Sequence, residues 1–281
     1  MADSGRQAGA AAPTVPERPT LVLLHGIGGN AAGLAPVVSA FSEVGWPALA
    51  WSQPGYDGTP LVEPYDLGSC ARALGAWLGA RESGAVVLVG HSMGGMLAQT
   101  LSAQVDGGVR AGSAGFRIAG LVLAHTSSAF GHPGGDFQQR FIASRTRPLD
   151  QGRTMRDIAT ALVPTMMAPT ASAETRDAGV AMMAAVPPET YRLAVSAVAA
   201  FDGRAHLEAI QVPTLCLAAE HDTTAAPAVL QRMSQRIPGA DYQCLEALGH
   251  LAPIEDPARW AAAVGQWCDR RIIHDRQEPL R

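Results

Sequence analysis

The sequence predicts an α/β protein: a mostly parallel, doubly wound sheet, covered by helices on both faces and interrupted by one helical insertion. Three observations predict it. Short continuous apolar runs, the mark of strands buried on both faces, recur along the chain. Stretches of helical periodicity separate them, and strands that alternate with helices pair in parallel. Between residues 129 and 211 the alternation stops and no strand-like run appears.

The first strand is Thr20-Leu21-Val22-Leu23-Leu24, and it runs into His25-Gly26-Ile27-Gly28-Gly29. Glycine density directly after a strand brings backbone close to something. The loop lacks the third glycine and the later acidic residue of a dinucleotide-binding fingerprint. It reads instead as a loop whose N–H groups serve a neighbouring site. The next strand, Pro47-Ala48-Leu49-Ala50-Trp51, opens into the turn formers Ser52-Gln53-Pro54-Gly55-Tyr56-Asp57-Gly58. Leu67, Cys70, Ala71, Leu74, Trp77 and Leu78 recur at helical spacing, and Ser83-Gly84 closes that helix. The strand Val86-Val87-Leu88-Val89 leads directly into Gly90-His91-Ser92-Met93-Gly94. Met93, Leu97, Leu101 and Val105 then mark one face of a helix. A serine in so tight a turn is strained, and both flanking glycines are needed for want of space. Residues 118–124 form a further apolar strand that ends at His125.

Inside the insertion, helices are expected near residues 137–146, 154–167, 175–185 and 188–201. It holds Met155, Met166, Met167, Met182 and Met183, five of the nine methionines, which read either as ordinary helix-packing core or as the lining of a pliable lid over a hydrophobic pocket. An all-helical insertion between parallel strands must sit outside the sheet, which favours the lid. Strand pattern resumes over residues 213–219 and leads to Glu220-His221-Asp222. Val229, Leu230, Met233 and Ile237 mark the next helix, residues 242–245 a short last strand, and Gly249-His250 follows. Pro257 opens a final helix with Trp260, Val264 and Trp267 on one face. The chain thus divides into a disordered tail (1–19), a core (20–128 and 212–270), a helical cap or lid (129–211) and a C-terminal tail (271–281).

Composition narrows the class. With 281 residues, 47% hydrophobic and 16% charged, the chain can bury a sizeable core. A net charge of −4 argues against a nucleic-acid partner, and no apolar run has the length of a membrane span. The first nineteen residues are rich in Ala, Gly and Pro and lack the apolar stretch of a secretory signal. No two of the four cysteines have metal-ligand spacing; Cys216 and Cys244 fall in strands and read as small buried hydrophobes in a reducing, cytoplasmic setting. No metal and no cofactor are expected. The expected partner is a small molecule, and a homodimer is left open.

A serine hydroxyl is a weak nucleophile and needs a base, which in turn needs a group to orient it. In a parallel sheet the loops after the strands share one edge, so Ser92, Asp222 and His250, each just past a strand, can meet. Over residues 20–270 the chain resembles the α/β-hydrolase fold proteins. The resemblance rests on His25-Gly26-Ile27-Gly28-Gly29, Pro54-Gly55-Tyr56, Gly90-His91-Ser92-Met93-Gly94-Gly95, Glu220-His221-Asp222 and Gly249-His250. It implies that Ser92 is the nucleophile, His250 the general base and then acid, and Asp222 the group that orients it. It also implies an oxyanion hole from the backbone N–H groups of Ile27 and Met93.

Within that fold the chain is similar to 3-oxoadipate enol-lactonases and to the meta-cleavage-product C–C hydrolases. The implied activity is hydrolysis of a small carboxylic ester or lactone through an acyl-enzyme on Ser92. The alternatives are C–C bond hydrolysis and a low-turnover ligand-binding protein. His91 stands where C–C hydrolases usually carry Asn, and Ser92 stands where dehalogenases and epoxide hydrolases carry Asp. Many relatives carry an acidic residue at the position of Ser52, and two further strands before the first one found here. His125 either lines the pocket or is a satisfied structural histidine. Arg140 and Arg145 either pair a substrate carboxylate or lie on a solvated helix face.

Overall fold

The computed structural model describes residues 18–105, 115–130 and 135–274. Six strands form one sheet: β1 (Thr20–Leu24), β2 (Ala48–Trp51), β3 (Gly84–His91), β4 (Phe116–Ala124), β5 (Thr214–Ala219) and β6 (Asp241–Leu245). Their order is β2-β1-β3-β4-β5-β6, and all five pairings are parallel. Successive side chains leave a strand on opposite faces, so a run apolar at every position needs cover on both sides. Leu21, Leu23, Val87, Val89, Leu215 and Leu217 face α1 (Ala35–Glu43) and α10 (Pro257–Cys268), where Phe41, Trp260 and Trp267 pack. Val22, Leu24, Val86, Leu88, Cys216 and Ala218 face the other way. They meet Leu74 of α2 (Leu67–Ala80), Leu97 of α3 (Met93–Gln104) and Leu230 of α8 (Pro227–Arg236). Each fully buried aliphatic side chain contributes about 1.5–3 kcal/mol, which is the reason for the continuous runs. No described helix is long and apolar enough to cross a membrane.

Between β4 and β5 stand α4 (Asp136–Asp150), α5 (Met155–Met166), α6 (Ala173–Ala184) and α7 (Pro188–Ala200). They carry their own apolar cluster, which includes Ile158, Val163, Met183 and Val195 and reaches Tyr56 and Met93 of the sheet body. Side-chain caps start several of the helices: Thr154 and Asp157 form a reciprocal capping box on α5, and Ser172 caps α6. The insertion is closed at its neck, where Phe130 N–H donates to the Phe201 carbonyl (3.2 Å) and Gly203 N–H to that of Ser128 (2.7 Å).

Several boundaries differ from expectation. Residues Arg204–Ala209, read with the insertion, form a 3-10 helix whose Leu207 packs in the sheet core, so the insertion ends at its neck. Residue 18, read as tail, belongs to the body: Arg18 lies over the Trp46 ring and pairs with Asp269 at 3.0 Å. The C-terminal tail also starts later, because Asp269–His274 continues α10 as a π-helix with Ile272 buried. Residues 1–17, where the family's two further strands would lie, and residues 275–281 fall outside the described residues. Cys244 is exposed, since β6 is an edge strand with one open side. Helix α2 ends at Ala80, and Gly84 already begins β3.

The turn from β3 to α3 places the serine. Ser92 has φ 55° and ψ −118°, a left-handed conformation that costs on the order of 1–3 kcal/mol in a non-glycine residue. A Cβ on Gly90 would run into the Gly94 carbonyl, and one on Gly94 into the Leu24 carbonyl. These are rigid backbone groups, so the crowding cannot be relieved by a side-chain rotation. Gly75 in α2 is different: a Cβ there would meet nothing closer than Leu101 Cδ1 at 3.4 Å. We expect Gly94→Ala to destabilise the fold by about 1–3 kcal/mol in urea unfolding. Gly75→Ala should stabilise it by about 0.5–1 kcal/mol. Equal effects of the two would contradict the close-approach argument.

Candidate active site

Ser92, Asp222 and His250 come from three separate strand ends and meet at the C-terminal edge of the sheet. His250 Nδ1–H donates to Asp222 Oδ2 at 2.9 Å, and Ser92 Oγ lies 3.1 Å from His250 Nε2. With the proton held on Nδ1, Nε2 is left as the acceptor for the serine hydroxyl. Asp222 Oδ1 in turn accepts the N–H groups of Thr224 and Ala225, both at 2.8 Å. Burial by itself would raise the Asp222 carboxyl. His250, the contact with His125 and the Ala225 N–H outweigh it and hold the group well below the usual carboxylate range. Asp222 therefore stays ionised and keeps orienting the imidazole.

The loop after β1 lies against the serine: a Cβ on Gly26 would be 3.1 Å from Ser92 Cβ. The Gly26 carbonyl accepts His25 Nδ1–H at 2.9 Å and Gly29 N–H at 3.0 Å. That carbonyl and the Ile27 N–H are the two ends of one trans peptide, so gripping the first aims the second the opposite way. Gln53 N–H donates to His25 Nε2 at 3.3 Å, which fits a proton on Nδ1, and Tyr56 Oη–H holds the Ile27 carbonyl at 2.9 Å. Among the described residues neither Ile27 N–H nor Met93 N–H donates to a protein acceptor. Met93 opens α3, where the helix leaves its first N–H groups unpaired and favours negative charge. Such a pair of donors can stabilise an oxyanion formed at Ser92. The contact missing at Ser52 is supplied nearby: Asp57 Oδ2 accepts Ser52 Oγ–H at 2.7 Å and Ala31 N–H at 2.9 Å.

The backbone of His250 is held as firmly as its ring. Its N–H donates to the Met166 carbonyl at the end of α5 (2.7 Å), and its carbonyl accepts His91 Nε2–H at the same distance. Glu255, in the short helix α9 (Ala252–Glu255), accepts the N–H groups of Ala168 (2.8 Å) and Gly249 (3.0 Å). The insertion and the histidine loop are thus stitched together. Neither Glu255 nor His91 has a spacing that marks it in the sequence. Tyr56 is recognisable only through the motif that contains it.

Above Ser92 lies a cavity of about 90 Å³, walled by Ile27, Phe141, Leu162, Met166, Met183 and Val195, among others. Of the three predicted binding residues only Arg145 reaches it. Arg145 sits over the Phe141 ring, 5.3 Å from its centroid, and pairs with no carboxylate among the described residues. Arg140 is exposed and faces a shallow surface groove with Ser144 and Arg147, because it lies on the outer side of α4. His125 is fully buried and is not among the residues that line the cavity; it packs against two that do, its ring 5.6 Å from that of His91 and 6.4 Å from that of His250. Among the described residues no cluster of three or more His, Cys, Asp and Glu side chains is arranged to hold a metal ion.

Three buried imidazoles make stability depend on pH. Burial brings His25 down to about 4, against the raising influence of Gly26 and Asp57, and burial is also the main cause that lowers His91 and His125. In the unfolded chain these rings take up a proton near ~6.5. From there down to about 4 the unfolded chain binds protons that the folded chain refuses, so stability falls as the pH falls. His25 alone accounts for on the order of 3 kcal/mol over that window. Glu255, raised by burial, acts in the opposite sense, one group against three. The urea midpoint should drop steadily from about pH 7 to about pH 4.5. A constant midpoint over that interval would contradict the assignment of neutral, buried rings.

Comparison with known proteins agrees with this architecture. A family model described as "Alpha/beta hydrolase family" matches residues 21–263. No curated protein sequence matches the chain. Among solved structures, an esterase from Thermogutta terrifontis is 21% identical, covers 90% of each chain and has a TM-score of 0.76. An enol-lactonase from Burkholderia xenovorans is 22% identical over 89% of this chain and 91% of its own, with a TM-score of 0.74. A bromoperoxidase from Bacillus anthracis is 18% identical over 90% and 92%, with a TM-score of 0.77. At these identities the likeness concerns the fold, and the family model spans most of the sequence: the chain belongs to the alpha/beta hydrolase family.

Proposed function

We propose that the protein hydrolyses small carboxylic esters or lactones through an acyl-enzyme on Ser92. One observation carries this reading: the unbroken chain from Asp222 to His250 to Ser92, at 2.9 and 3.1 Å, which opens into an apolar cavity. His250 Nε2 takes the Ser92 proton as Oγ attacks the carbonyl carbon. The oxyanion accepts the N–H groups of Ile27 and Met93, each donor worth on the order of 10²–10³ in rate. His250 then gives the proton to the departing alkoxide. A water molecule, activated by the same Nε2, releases the acid and restores Ser92. The esterase and the enol-lactonase among the structural neighbours agree with this chemistry.

The cavity sets the substrate size. At about 90 Å³ it is smaller than the ~150 Å³ of an engineered cavity that holds a benzene ring, which favours a short acyl group. Arg145 adds an electrostatic preference, because a guanidinium in an apolar wall, with no carboxylate partner among the described residues, favours a substrate with an anionic end. His91 offers no amide at the position where C–C hydrolases carry one, and its Nε2–H is committed to the His250 carbonyl.

Turnover of p-nitrophenyl acetate or butyrate should fall by about four to six orders of magnitude in Ser92→Ala. Equal rates in variant and wild type would end the proposal. Arg145→Ala should raise KM about 10–100-fold for a lactone or ester that carries a distal carboxylate, and leave neutral esters nearly unchanged. A matching loss on both substrate types would remove the role of Arg145 in binding charge.

A further inference from the structure

His125 follows β4 in a left-handed conformation (φ 50°), fully buried and outside the cavity lining. Its Nε2 accepts the indole N–H of Trp260 at 3.3 Å. A ring nitrogen that accepts cannot carry the proton, so the proton of the neutral ring is on Nδ1. That Nδ1–H faces Asp222 Oδ2 at 3.6 Å and has no hydrogen-bond partner within reach. A buried N–H without a partner costs on the order of 1–3 kcal/mol, so the contact is worth closing by the few tenths of an ångström it lacks. The same oxygen accepts His250 Nδ1–H at 2.9 Å. One carboxylate oxygen therefore stands between two imidazoles.

We propose that His125 is a positioning residue for the Asp222–His250 pair: locked by Trp260, it offers Asp222 Oδ2 a second N–H and so shares the carboxylate that orients His250. The reasoning is electrostatic. Negative charge on Oδ2 that is drawn toward His125 is withdrawn from His250, and the pair holds its proton less tightly. The ring itself stays neutral, since burial outweighs the pull of Asp222 on it. The other groups that face the pair are His91, whose ring is 5.1 Å from that of His250 and 5.6 Å from that of His125, and Glu255. His91 is lowered by burial, by His250 and by His125 itself, so a change at position 125 reaches it as well, whereas His125 is not among the groups that shift Glu255.

The inference rests on the hydrolase reading for its kinetic test but not for its spectroscopic one. The acid limb of kcat/KM should move up by about 0.5–1 pH unit in His125→Phe. It should return toward wild type in His125→Asn, whose amide N–H₂ occupies the place of Nδ1. A role in packing alone would lower activity at every pH and leave the limb where it was, and that result would overturn the proposal. Nitrogen NMR of the wild-type protein supplies the second arm and needs no variant. It should find His125 neutral with its proton on Nδ1 at about pH 7–8. A proton on Nε2 would overturn the proposal even if the variants fail to fold. If the wild type turns over no ester or lactone, the functional reading fails, and the tautomer measurement still decides this one.

Discussion

The site depends on a close approach between backbones. Where β3 turns into α3, no side chain fits at Gly90 or Gly94, because carbonyl groups of Gly94 and Leu24 occupy the space. That crowding presses the start of α3 against the end of β1. It brings Ser92 beside the Gly26–Ile27 peptide and the first free N–H of the helix into a single small volume. The strain at Ser92 is held by bonds around it: its N–H donates to the Ala124 carbonyl at 2.9 Å, and its own carbonyl accepts Thr126 Oγ1–H at 2.7 Å. The sheet thus fixes the serine hydroxyl against the loop after β1, and the proposed catalysis requires such preorganised groups before substrate arrives.

His250 is held from a different direction. Its ring is oriented by a buried carboxylate, while its backbone is tied to the insertion through Met166 and to the serine turn through His91. Glu255 fastens Ala168 of the insertion to Gly249 of the histidine loop. The helices between β4 and β5 therefore do more than roof the cavity. One edge of them is part of what places His250, and the Thr190 hydroxyl of α7 holds the Gly55 carbonyl beside Tyr56, which in turn holds Ile27. Motion of the insertion at these two edges would disturb both His250 and the Ile27 loop.

Much of this was legible in the sequence, for identifiable reasons. The strands stood out because a parallel sheet buries both faces and leaves runs such as Val86-Val87-Leu88-Val89. The meeting of Ser92, Asp222 and His250 is legible because each follows a strand. Helix α1 was not anticipated: no side chain caps it, and its apolar positions Val37, Ala40 and Phe41 are too few to establish a period. Arg140 and Arg145 are indistinguishable by residue type. Only the direction of α4 separates the one in the groove from the one in the cavity. His125 follows a strand as Ser92 and Asp222 do, but its ring is buried between Trp260 and Asp222 rather than in the cavity lining, and such packing is not written in composition.

The central claim is that Ser92 is an activated nucleophile because His250 and Asp222 stand in line behind it. It is tested most directly by a fluorophosphonate probe, with the adduct located by mass spectrometry of the digested protein. The account predicts one adduct, on the peptide containing Ser92, formed rapidly in the wild type and hundreds of times more slowly, on the order of 10² or more, in His250→Gln. An unlabelled Ser92, or labelling at the same rate without the imidazole, would contradict it.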